Sequence, residues 1–102
     1  MHTAHTVTIK RSAIKNLELL PETVKERLDL LVDVLRTKGP TGPHKWKNYS
    51  PLRGKNNQKL YHCHISEGNQ YVACWEFYKE SIFIEVYYVG SHPSGKYPTN
   101  RP

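Results

Sequence analysis

A chain of 102 residues carrying 15 Lys and Arg against 9 Asp and Glu, formal charge +6, is sized for a single domain and biased toward a polyanionic partner such as nucleic acid. No stretch approaches the ~20 apolar residues of a membrane span, and residues 1–10 lack the apolar core of a signal peptide. Cys63 and Cys74 are too few for a secreted disulfide scaffold, so the expected setting is cytoplasmic with both thiols reduced.

In chain order, residues 6–10 alternate polar and apolar, with Val7 and Ile9 on one side, which predicts a short strand. A short helix over 13–20 carries Ile14, Leu17 and Leu20, with Ser12 as its expected cap. Pro21 opens a longer helix over 21–38. There Val24, Leu28, Leu31, Val32 and Leu35 recur at helical spacing, and Leu30 and Val34 widen the stripe. Lys25 with Asp29, and Asp33 with Arg36, are spaced as ion pairs, and Gly39–Pro40 stops the helix. Residues 40–57 are rich in proline, glycine and asparagine and predict a long loop without regular structure. It holds Lys45, Lys47, Arg53 and Lys55, no acid, and two interleaved aromatics, Trp46 and Tyr49. Loops of that length are often functional, although Trp46 and Leu52 could equally pin it to the core. From residue 59 the period becomes two, predicting an antiparallel meander over 59–90 with turns at Glu67–Gly68–Asn69 and Lys79–Glu80, then a tail over 91–102.

Alternation sets Tyr61, Cys63 and Ile65 opposite Leu60, His62 and His64. Tyr71, Ala73, Trp75 and Phe77 oppose Val72, Cys74 and Glu76, and Ile82, Ile84, Val86 and Tyr88 oppose Phe83, Glu85 and Tyr87. A two-residue turn at Lys79–Glu80 would pair Phe77 with Ile82, Trp75 with Ile84 and Ala73 with Val86. A three-residue turn before Gln70 would put Tyr61, Cys63 and Ile65 on the Trp75 face and avoid burying an unpaired Glu76. One face then takes the helices. The other gathers His62, His64, Cys74, Glu76, Glu85 and Tyr87, either as a site or as the polar side of an ordinary open sheet.

The runs PLRGKNNQKLYHCHI, YVACWEF and IEVYYVGSH, with Tyr97 beyond, resemble the RelE/ParE superfamily of toxins from toxin–antitoxin systems over nearly the whole chain. Pro51-Leu52-Arg53-Gly54 looks like that family's loop before its second strand, residues 71–77 like its third strand, and Val89-Gly90-Ser91-His92 like the end of its fourth. The resemblance implies an α+β, RelE-like β-α-α-β-β-β fold with an antiparallel sheet packed on two N-terminal helices. Within the superfamily the histidines look most like the YafQ branch of mRNA-cleaving toxins. His64 in Cys63-His64-Ile65 and His92 after Gly90-Ser91 stand at its histidine positions, and Tyr97 at its C-terminal aromatic. The chain departs from the superfamily where it has Val72 in place of a frequent Arg, and Glu85 in place of a basic residue. RelE's arginine pair appears here as His62 and His64, so a RelE-style Lys/Arg mechanism does not transfer.

The implied activity is metal- and cofactor-independent cleavage of mRNA, on the ribosome, with a cognate antitoxin as partner and no membrane. The toxin would be monomeric or part of a toxin–antitoxin hetero-oligomer. Such cleavage needs a base for the 2′-OH, charge stabilisation at phosphorus and an acid for the leaving oxygen. Histidine, with a pKa of about 6.5, suits both proton transfers. The expected catalytic residues are His92 and His64 as the acid–base pair, Tyr97 to position the nucleotide, Glu85 to tune a histidine, and His62, placed toward a sheet edge, as a weaker candidate. Arg53, Lys55, Lys45, Lys47, Lys96 and Tyr87 are the expected RNA and phosphate contacts. A zinc site on His62 and His64 with a distant His92 is not demanded by the spacing, since alternation turns Cys63 away. His2 and His5, near a loose terminus, take no role. The alternatives are a ParE-like toxin acting on DNA gyrase without cutting, and a catalytically degenerate RNA- or partner-binding member. The glutamates Glu76 and Glu85, on the face where RNA would sit, weigh against the nuclease.

Overall fold

The computed structural model describes residues 4–55, 57–66 and 70–100. The expected turn at Glu67–Gly68–Asn69 lies outside them. Strand β1 (Thr6–Ile9) is followed by helices α1 (Arg11–Leu17) and α2 (Glu22–Lys38), then β2 (Ser50–Leu52), β3 (Lys59–His64), β4 (Tyr71–Tyr78) and β5 (Phe83–Ser91). Among the described residues the strands form one sheet of order β1-β5-β4-β3-β2. The sheet is mixed, not purely antiparallel: the helices carry the chain from β1 to β2 at the opposite edge, the strands β2 to β5 return antiparallel, and β5 ends parallel to β1, Val7 opposite Ile84.

Helix α2 buries Val24, Leu28, Leu31 and Leu35 completely or nearly so. This stripe meets Cys63, Ala73, Trp75, Ile84 and Val86 from the sheet. Burial of each aliphatic chain of this size contributes about 1.5–3 kcal/mol. The stripe is narrower than expected, for Leu30 is 53 % exposed. On α1 it is Ala13 that is buried, while Ile14 is 43 % exposed. Ser12 does not cap α1, which starts two residues earlier than expected with Lys10 at the cap position and no side-chain cap bond. Arg36 bonds Asp33 as expected at 2.7 Å, whereas Lys25 approaches Glu22 at 3.9 Å and not Asp29. Gly39 ends α2 at φ 85°, a left-handed value that glycine accepts without strain.

The described residues between 40 and 57 are more regular than their composition suggests. A 3-10 turn covers Gly42–Lys45, and β2 adds a strand at the edge, pairing Ser50 with His62 and Leu52 with Leu60. Pro51, which lacks a ladder N–H, is tolerated because β2 is an edge. The loop is anchored by aromatics. The Trp75 indole donates to the Pro40 carbonyl at 3.0 Å. Tyr49, Tyr61 and Trp75 form a group of rings with centroids 6.1–6.3 Å apart. Trp46 lies under the Arg27 guanidinium at 5.0 Å. His5 is also fixed, its N–H on the Arg36 carbonyl and its ring 5.8 Å from Phe77.

The β3–β4 register is the expected one, with Tyr61 opposite Trp75 and Cys63 opposite Ala73. The β4–β5 register is not. The turn is a 3-10 turn, Lys79–Ser81, closed by Ile82 in the left-handed region (φ 51°), so Ile82 leaves the strand and is 40 % exposed. Phe77 therefore faces Ile84 and Trp75 faces Val86. A bulge opposite Cys74 and Trp75 then absorbs an extra residue, and Cys74 pairs with Tyr88 and Ala73 with Val89. As a result Tyr88 joins Tyr87 on the open face and Val89 turns into the core, the reverse of strict alternation.

Candidate active site

The open face is ordered in rows across the sheet. One row runs Ser50, His62, Cys74, Tyr88; the next runs Leu52, Leu60, Glu76, Glu85, Thr8; beyond His62 lies the row His64, Val72, Gly90. This face is not simply wet. Leu60, Cys74 and Tyr87 are buried in a second apolar cluster with Leu52, Tyr88 and Tyr97. The cover is the C-terminal segment, which leaves β5 and folds back across the sheet. Its hold on the sheet includes the Tyr87 hydroxyl, which donates to the Pro98 carbonyl at 2.7 Å.

That return brings four rings together at one end of the face. The His92 N–H extends the ladder to the Gln70 carbonyl at 2.9 Å. Helix α1 steadies the same strand end, since the Asn16 side chain donates to the Val89 carbonyl. A Cβ at Gly90 would collide with that Asn16 amide and push it from its bond, so glycine favours this contact. The His92 ring then stands 5.1 Å from His64 and 5.4 Å from Tyr97, and Tyr97 covers His62 at 4.1 Å. His62 and His64 are 6.2 Å apart.

Hydrogen bonds fix which nitrogen carries the proton. His92 Nδ1 lies 2.7 Å from the Pro93 carbonyl, an acceptor only, so Nδ1 is the donor. In the neutral ring Nε2 then accepts from the Tyr97 hydroxyl at 3.0 Å. His62 Nδ1 likewise donates to the Ser50 carbonyl at 3.2 Å. The Asn48 amide meets His64 Nε2 at 3.3 Å. Burial lowers the His62 pKa below its ordinary value, as do the neighbouring His64 and His92, against an upward pull from the Ser50 carbonyl. Burial, then Cys74, raises the Tyr97 pKa, so its phenol stays protonated at neutral pH. Of the histidines, His62 and His64 are buried and His92 is exposed.

The basic candidates divide. Arg53, Lys55 and Lys96 line a cleft of about 730 Å³ with Tyr97, Pro98 and Thr99. That volume lies within the roughly 300–1,000 Å³ of small-molecule sites, and Tyr97 is the wall it shares with the rings. Lys45 and Lys47 do not line this cleft; the Lys47 carbonyl accepts from the His64 N–H at 2.8 Å.

Three expectations need correction. Tyr87 is 6 % exposed with its hydroxyl committed to Pro98, so it cannot stack on RNA. Glu85 does not orient a histidine: its carboxylate accepts from Asn100 at 2.8 Å and from the Tyr78 hydroxyl at 3.4 Å. His62 is not at an edge, because β2 lies outside it. The thiols of Cys63 and Cys74 are pushed up to about 12 by burial, which keeps them from acting as nucleophiles. Among the described residues no group of three or more His, Cys, Asp or Glu is arranged to hold a metal ion, and no described helix is long and apolar enough to cross a membrane. Asn48 and Asn100 are not marked by the sequence. Neither has a pattern of its own, and only the folding back of loop and tail brings them to the face.

No protein-family model and no curated protein matches the chain. Solved structures do. A chain of the archaeal RelE–RelB complex from Pyrococcus horikoshii superposes with a TM-score of 0.73 at 18% identity, covering 91% of this chain and 100% of that one. The isolated RelE toxin of E. coli gives 0.64 at 25% identity, over 90% of this chain and 88% of that one. The toxin–antitoxin complex RelBE2 from Mycobacterium tuberculosis gives 0.57 at 16% identity, over 91% and 95%.

Proposed function

As a member of the RelE structural superfamily, the protein is, we propose, the toxin of a toxin–antitoxin pair and a metal-independent endoribonuclease of the YafQ-like kind, cutting mRNA on the ribosome. The observation that carries this reading is the convergence of His62, His64, His92 and Tyr97 beside a cleft walled by Arg53, Lys55 and Lys96. An antitoxin partner is supported by the RelB-bound neighbours.

His92 is the exposed ring, and its Nε2 lone pair, released when the Tyr97 hydroxyl turns toward the leaving 5′-oxygen, is the proton acceptor for a 2′-OH. The 2′-oxygen attacks phosphorus while the cations of the cleft hold the phosphate and oppose the charge that develops. The departing 5′-alkoxide is far more basic than a phenolate, so the Tyr97 hydroxyl protonates it. His92, now cationic and 3.0 Å from that oxygen, returns the proton and closes the cycle. The products are a 2′,3′-cyclic phosphate and a 5′-hydroxyl. His64, expected as the partner of His92 in the acid–base pair, is 2 % exposed and in this scheme is a positioning residue, as is His62. They are buried behind His92 and Tyr97, with His64 packed at a steep angle to His92 and His62 tilted against Tyr97.

The test is primer extension on cellular messages minutes after induction. Codon-phased new 5′ ends support the reading. Growth arrest with intact messages, DNA breaks and an SOS response would overturn it in favour of a gyrase poison. Arrest or RNA binding without any cut would mark a degenerate member.

A further inference from the structure

At the other end of the open face, Glu76 and Glu85 stand directly opposite each other on β4 and β5. Like charges so placed destabilise a strand pair. Here one side chain joins them. Asn100 is 5 % exposed, and its Nδ2 donates at 2.8 Å to Oε1 of Glu76 and at 2.8 Å to Oε1 of Glu85. Its Oδ1 accepts from the Lys10 ammonium at 2.8 Å, and its backbone carbonyl accepts from the Gln58 amide at 2.6 Å. The Tyr78 hydroxyl supplies a further donor shared by the two carboxylates. The anchor thus draws on β4, β5, the residue before α1 and the loop before β3.

The geometry points to Asn100 as the positioning residue that latches the tail, and so holds Tyr97 on His62 and against His92. Tyr97 stands three residues before Asn100, and between them Pro98 is tied to Tyr87. The ring of Tyr97 meets groups on β3 and beyond β5, so its placement depends on where the returning segment is tied down. The glutamates are then the acceptors that hold the latch, which is why acids are present on a face offered to RNA. The catalytic consequence rests on the nuclease reading above; the latch itself does not.

The experiment compares the full chain with N100D and with the polarity-reversed variant N100D/E76Q/E85Q. A carboxylate at 100 would face two carboxylates, whereas two glutamine amides can donate to it and still accept from Tyr78. The first readout is the NMR ring-current shift that the Tyr97 ring imposes on the His62 ring protons. The second is kcat and KM for RNA cleavage. N100D is expected to lose the shift and at least 10-fold in kcat with KM changed less than 3-fold, and the triple variant to restore both. An N100D variant that keeps the ring-current shift, or a triple variant that fails to recover it, would overturn the latch. A shift abolished in N100D and recovered in the triple variant, in proteins that never cut RNA, would uphold the latch and remove the nuclease reading.

Discussion

The two ends of the open face use polar groups in opposite ways. At one end the rings of His62, His64, His92 and Tyr97 pack at centroid distances of 4.1–6.2 Å, and a hydrogen bond joins the outermost pair, Tyr97 and His92. At the other end Glu76, Glu85, Tyr78, Asn100 and Lys10 are joined to one another by a network of hydrogen bonds. Burial and then Glu76 push the Tyr78 pKa up to about 12, so it remains a donor to the acids. The lesson is that a titratable side chain on a shared face takes its role from its partners. The ring end offers chemistry, and the glutamate end fixes the segment that completes it.

The largest effect that tests this division is His92→Ala. RNA cleavage should fall about 10²–10⁴-fold, as for loss of a general base, while stability, measured by urea unfolding, changes by less than about 0.5 kcal/mol because the residue is exposed. Wild-type cleavage by this variant would break the comparison. Tyr97→Phe comes next. The ring still covers His62 but the hydroxyl is lost, and single-turnover kinetics should show a chemical step slower by about 10²-fold, the low end for a lost general acid, with binding nearly unchanged.

A smaller effect is expected from R53A/K55A/K96A. RNA binding should weaken, and the slope of log K against log salt should fall by about 0.7 for each phosphate contact removed, whereas Lys45→Ala should leave that slope alone. The smallest effect is a pH dependence. His62 binds its proton less readily folded than unfolded, so between the two pKa values the unfolded chain holds more protons and stability falls as pH drops. His62→Gln should therefore show a shallower loss of stability from about pH 7.5 to about 5.5 than the wild type. An equal slope would mean that His62 is not buried as a neutral ring.

Much of this molecule is legible in its sequence, and the exceptions have physical causes. The α2 stripe and the Tyr61–Trp75 register follow from periodicity, because burying one face constrains every other residue. The β4–β5 register escapes periodicity. Ile82 reads as a strand residue but adopts a left-handed turn conformation, and the later bulge shifts Tyr88 and Val89 by one face. The strand Ser50–Leu52 is hidden because a proline-containing edge has no alternation signal over its three residues. His64, His92 and Tyr97 could be singled out by residue type and resemblance, and the fold brings them together. Glu85 could not be assigned correctly, since its partner Asn100 is 15 residues away along the chain and is brought to it by the tail's return.

The most direct measurement of the central claim is the chemistry of the cut ends. Purified protein would be given a short message on programmed ribosomes with a chelator present, beside H92A and a message carrying a 2′-deoxy sugar at the cut. The predicted result is a 2′,3′-cyclic phosphate and a 5′-hydroxyl from the wild type, and no cut from the variant or at the deoxy position. A 5′-phosphate product, cleavage abolished by the chelator, or an undiminished cut by H92A would contradict it.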